Sequence, residues 1–182
     1  MPSTRQLLTL AALSGLLSYG LLCLAGNVPA WLPLPADVFR YAPGFVFGLM
    51  ALQLAAQLPL RRAGLVLAAG LTWILMFQLA SGLVTEQEQS TVLACGVAGG
   101  LGAWLISLSV RLLAPRRLSL LAMLMAFVAG TLGGCVIGEG LLMPDESWWL
   151  HILLIAGFFA WQAGVAGSLL LVDELGEHEA HA

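Results

Sequence analysis

Cys135 and Glu139 stand one helical turn apart, and His151 follows across a short polar stretch that holds Asp145 and Glu146. A thiolate, a carboxylate and an imidazole brought to one helix end are donors that hold a transition metal. Cys135, Glu139 and His151 are therefore the metal-ligand candidates. No fixed-spacing metal motif accompanies them, so the cofactor is unknown. The plainer reading makes Cys135 a small apolar filler and Glu139 a polar helix end. Trp148, Trp149 and His151 are then anchors at a membrane–water interface.

A second set consists of amides in otherwise apolar stretches: Gln53, Gln57, Gln78 and Gln162. Gln53 and Gln57 share a face one turn apart. These four are the candidates to line a path for a neutral solute. The competing role is hydrogen bonding between helices, which contributes roughly 0.6 kcal/mol per bond in a membrane. No Asp, Glu, Lys, Arg or His lies deep in the apolar stretches. Proton-coupled antiporters place ionisable groups there, so this absence weighs against one.

Enzymatic signatures are scarce. All seven basic residues are Arg, and without Lys there is no Walker A nucleotide site. Neither a G-x-S-x-G elbow nor an H-E-x-x-H pair is present. Ser14-Gly15 and Ser81-Gly82 lack the leading glycine of the rhomboid Gly-x-Ser-Gly element, and no His precedes His151. The reading leans away from an enzyme. Three Cys without C-x-x-C spacing indicate neither a disulfide framework nor a zinc ribbon.

The elements that must carry these residues are membrane helices. Of 182 residues, 60% are hydrophobic and 9% charged, with mean hydropathy +0.95; soluble domains carry about 25% charged residues. A membrane helix needs about 20 mostly apolar residues, and six stretches qualify, roughly 6–26, 43–60, 63–82, 91–111, 118–138 and 150–171. The predicted fold is all-α: a polytopic integral membrane protein with a six-transmembrane-helix bundle in one domain, residues 1–172. An acidic cytoplasmic tail, 173–182, is expected to be solvated and frayed. The first stretch is read as a retained span, because its apolar run exceeds the 7–15 residues of a signal core.

With a cytoplasmic N-terminus, Arg5, Arg61, Arg62, Arg111, Arg116 and Arg117 fall inside and only Arg40 falls outside. That distribution follows the positive-inside rule. The expected location is a bacterial-type cytoplasmic (inner) membrane with both termini cytoplasmic. Pro29, Pro33, Pro35 and Pro43, with Trp31, Phe39 and Tyr41, make residues 27–42 read as a stiff, non-helical interfacial loop.

Small residues recur at helical spacing. Gly44, Gly48, Ala51 and Ala55 follow a +4, +3, +4 pattern, repeated by Gly96, Gly100, Ala103 and Ser107 and by Ala156, Ala160, Ala163 and Gly167. The repetition extends the fold reading to three related helical hairpins, 1–2, 3–4 and 5–6. Ala122, Ala126, Gly130, Gly134 and Gly138 form the longest stripe, with Gly133 beside it. Lipid is as apolar as leucine, so membrane helices associate through close packing of such residues. Gly44, Gly48, Gly96, Gly100, Gly130, Gly134, Gly138 and Gly167 are the expected packing positions.

The function read from these features is a small transport-related component that binds or passes a neutral or weakly polar small solute. The alternative is a non-transporting subunit or an assembly or scaffold protein of a larger membrane complex. The expected partners are the lipid bilayer and other membrane subunits or a second copy of the chain. The small net charge of −3 offers no field for nucleic acid.

Overall fold

The computed structural model describes residues 4–26, 35–52, 56, 58–84, 88–114 and 118–179. Six α-helices form among them: α1 (Thr4–Gly26), α2 (Ala36–Met50), α3 (Pro59–Leu83), α4 (Glu88–Leu113), α5 (Leu120–Leu141) and α6 (Trp148–Glu179). Five contain stretches long and apolar enough to cross a membrane: Leu8–Gly26, Pro59–Leu83, Ser90–Leu113, Leu120–Leu141 and Trp148–Ser168. Leucines such as Leu60, Leu67, Leu71, Leu112 and Leu132 point outward at 57% exposure or more. So much exposed apolar surface is at home in lipid, not water. This is a helical membrane protein.

α2 differs from the expected second span. It has 15 residues and starts at Ala36, inside the stretch read as a loop. Pro35 takes the N-cap position in extended conformation (φ −66°, ψ 147°), where its missing N–H costs nothing, and Asp37 places a negative charge in the first turn. Pro43 stands within the helix and is buried; one proline removes a single backbone bond without ending the helix when packing holds both sides. α3 likewise starts at Pro59, so Arg61 and Arg62 lie in its first turn and not in a loop. Arg62 Nε donates to the Ala56 carbonyl at 2.9 Å and ties the α2–α3 connection down. Gln53, Gln57, Ala55, Pro29, Trp31, Pro33, Arg116 and Arg117 lie outside the described residues. The tail also differs: α6 continues to Glu179. Glu174, Leu175, Glu177 and Glu179 are good helix formers and no proline intervenes, so only Gly176 opposes the helix, at about 1 kcal/mol.

Each helix packs antiparallel on the next, and α6 returns to α1, closing a ring. The packing is closest where glycines meet backbone. A Cβ at Gly138 would come within 2.7 Å of Val92 Cα, and one at Gly134 would collide with the Cys95 carbonyl oxygen, so this face of α5 lies directly on α4. Gly133, one position round, accepts α6: a Cβ there would lie 2.7 Å from the Trp161 backbone nitrogen. Gly44 and Gly48 do the same for α2 on α3, against Trp73, Ala69 and Val66. Gly96 and Gly100 meet Cys135, Thr131 and Phe127 of α5. The stripes of α2 and α4 thus each seat the following helix. The third stripe departs from that pattern, since Ala156 and Ala160 are exposed and Gly167 has only the Leu8 side chain at 3.5 Å.

The two halves of the ring are filled unequally. Toward the termini a continuous core joins Ala11, Leu65, Ile106, Val110, Met123 and Val165. Arg5, Arg61, Arg62 and Arg111 sit at that same end, and Arg40 at the other. The half opposite the termini is hollow.

Candidate functional site

The hollow half holds a cavity of about 610 Å³, within the 300–1,000 Å³ usual for small-molecule sites. α1 contributes Tyr19, Leu22, Cys23 and Gly26; α3 contributes residues from Thr72 to Val84. Cys95, Ala98 and Gly99 of α4 and Gly134, Ile137 and Leu141 of α5 form the far wall. The α6 side runs from Leu150 to Trp161, which at 1.5 Å per residue is about 16 Å of depth. Gly26, Val84, Leu141 and Asp145 are exposed and mark the mouth.

Its floor is aromatic. Trp73 and Phe158 rings lie 5.6 Å apart, Trp73 and Trp161 6.3 Å, and Phe47 closes beneath Trp161 at 5.5 Å. Both indole N–H groups are already used: Trp73 Nε1 donates to the Arg40 carbonyl at 3.0 Å, and Trp161 Nε1 to the Gly99 carbonyl at 3.1 Å. The floor therefore offers ring faces and C–H groups to a ligand, not donors. Gly99 and Gly134 present backbone to the cavity, since a Cβ at either would point into the α4–α5 contact.

Polar side chains line parts of the cavity wall and mouth. The Tyr19 hydroxyl and His151 Nδ1 share a hydrogen bond at 2.5 Å, joining α1 to α6, with the two rings edge to face. Asp145 lines the same opening from the α5–α6 loop. That loop is held by Leu142 N–H to the Glu139 carbonyl at 3.2 Å and Ser147 N–H to the Pro144 carbonyl at 2.8 Å. Ser147 Oγ then accepts from Trp149 N–H at 3.3 Å and starts α6. Trp148 and Trp149 stack on each other at 4.1 Å and stay exposed, as interface anchors do.

The candidates drawn from the sequence fall in different surroundings. Cys135 packs against Gly96 of α4, Glu139 is exposed, and His151 turns to Tyr19. Among the described residues no group of three or more His, Cys, Asp or Glu side chains comes together. The reason is geometric: the Gly/Cys face of α5 is committed to α4, while His151 starts a helix that leans on α1. The three cysteines are free thiols.

Of the glutamines, Gln162 is 1% exposed and stands outside the cavity lining. Ser14 Oγ donates to its Oε1, and its Nε2 donates to Ser18 Oγ at 2.9 Å. It clasps α6 to α1 at mid-depth. Gln78 is exposed and its Nε2 donates to the Tyr41 hydroxyl at 2.7 Å, linking α3 to α2. Gln53 and Gln57 are not described. Besides His151, Asp145 and Gly134, the cavity is lined by residues that the sequence left unremarked, above all Trp73 and Trp161. One signal could have found them. Tryptophan in membrane helices gathers at the two interfaces, and these two sit in the middle of their helices. No protein-family model, no curated protein and no solved structure matches this chain.

Proposed function

We propose that this protein is a small-solute-binding component of a membrane transport system, taking a mostly apolar, neutral or weakly polar molecule into the cavity from the face opposite the termini. The observation that carries this reading is the contrast between the two halves: a hollow, aromatic-floored half with an exposed mouth, and a filled half toward the termini. A solute enters on one side and stops at Trp73 and Trp161. Passage onward requires the packed half to part, which in a transport system is work for a second state or a partner subunit. The arginine distribution supports an inner-membrane placement with the mouth outward. The scaffold alternative receives less support, because the stripes of α2, α4 and α5 are occupied within the chain.

The test compares wild-type protein with a cavity-filled variant, Ala80→Phe, on the half-buried α3 wall. A solute that binds only the native state raises stability by about 2.7 kcal/mol at a hundred times its Kd. Native mass spectrometry after gentle extraction is expected to find a bound small molecule on the wild type. Adding that molecule back should raise the wild-type melting temperature and leave Ala80→Phe unmoved. Extraction without any bound molecule, together with identical melting of both proteins across a panel of apolar solutes, would sink the proposal.

A further inference from the structure

The cavity has the chemistry of a receptor for a particular head group. Five of its lining side chains are Phe, Trp or Tyr, in a chain that is 8% aromatic. Among the described lining residues there is no Arg, and Asp145 is the one carrying a formal charge at neutral pH. The α5–α6 loop that carries Asp145 holds a second exposed carboxylate, Glu146. Arg40, the one arginine at this end among the described residues, already has its charge turned to Asp37 at 3.1 Å and lies over the Phe77 ring. A cleft rimmed by one sign of charge over low-dielectric walls draws in ligands of the opposite sign and repels its own. A carboxylate at the mouth, a phenol–imidazole pair on the α1–α6 wall and ring faces at the floor suit a donating, cationic head attached to an apolar body.

We propose that the ligand is an amphiphilic amine, with its ammonium held at the mouth by Asp145, and its apolar body running past Tyr19 and His151 to rest on Trp73, Phe158 and Trp161. This rests on the solute-binding reading above and narrows the weakly polar end of that solute to an amine. Anionic amphiphiles of the same length are excluded by the acidic rim.

The experiment uses the full chain in phosphatidylcholine nanodiscs and three probes of equal length: decylamine, 1-decanol and decanoate. Tryptophan emission is the readout, since Trp73 and Trp161 line the cavity. Saturable binding is expected for decylamine, about tenfold weaker binding for 1-decanol, and none for decanoate. Asp145→Asn should weaken decylamine about tenfold, to the level of 1-decanol in the wild type, and an unchanged melting temperature of the ligand-free protein shows that the variant is folded. Equal affinities for amine and alcohol in the wild type, or an amine preference that survives Asp145→Asn, overturn the amine assignment while leaving the cavity a binding site. Ala80→Phe, with Ser81→Phe at the cavity edge as a second filling variant, should abolish binding of all probes. If the wild type binds no probe saturably, or both filled variants bind as the wild type does, the solute-binding reading falls too.

Discussion

Gln162 is the residue at which sequence and structure meet most instructively. An amide in an apolar helix has two possible employments, a path for solute or a bond to a neighbour, and spacing cannot choose between them. Here the choice is made by Ser14 and Ser18, which sit one turn apart on α1 and engage both ends of the amide. Ser18 Oγ also donates to the Ser14 carbonyl, and the one Ser14 hydroxyl hydrogen is shared between Gln162 Oε1 and the Ala11 carbonyl. Pairing residues 14 and 162 needs the ring to close α6 onto α1, which no local pattern announces. Gln162→Leu should lower stability by about 1 kcal/mol, two interhelical bonds at roughly 0.6 kcal/mol each. Denaturant-induced unfolding in mixed micelles measures this, and an unchanged midpoint would mean that the clasp contributes nothing. Tyr19 and His151 were likewise separate in the sequence: one was unremarked, and the other was grouped with Cys135 and Glu139, which lie elsewhere.

At the scale of elements, most of the helices were legible because long apolar runs leave a chain little else to form. The exception was α2. Its prolines read as helix breakers, yet Pro35 stands at the cap, where proline is tolerated, and Pro43 is held by packing. The α5 stripe was legible as a packing face, but which neighbour each glycine would meet was not, since spacing fixes a face and not its partner. The structure gives Gly134 and Gly20 opposite expectations. A Cβ at Gly134 collides with the α4 backbone, whereas one at Gly20 meets nothing within 4 Å. Gly20→Ala should therefore stabilise the protein by up to about 1 kcal/mol through helix propensity. Gly134→Leu should collapse folded yield and lower the melting temperature, because α4 and α5 would have to part. Normal melting of Gly134→Leu would contradict the packing described. Ser119, whose Oγ accepts the Ala122 N–H at 3.1 Å, caps α5; Ser119→Ala should cost about 1 kcal/mol in the same assay.

For the whole molecule, composition placed the chain in a membrane and left its interior unread. Hydropathy does not distinguish a bundle filled from end to end from one filled on a single side. That difference arises from where the large rings sit: Phe47, Trp73, Phe158 and Trp161 meet at mid-depth and form a floor. Below it the core is continuous, and above it Ala98, Gly99 and Gly134 line an open space with small residues. On the proposed function, a ligand enters from that one face. Cys23 lines that space near the mouth and is exposed, which makes it a direct reporter. In a variant retaining Cys23 alone (Cys95→Ala, Cys135→Ala), a membrane-impermeant maleimide added outside intact cells is expected to modify Cys23, and Ala80→Phe should slow the reaction. Modification only after the cells are permeabilised would contradict an outward-facing mouth, and a rate indifferent to filling the cavity would contradict Cys23 lining it.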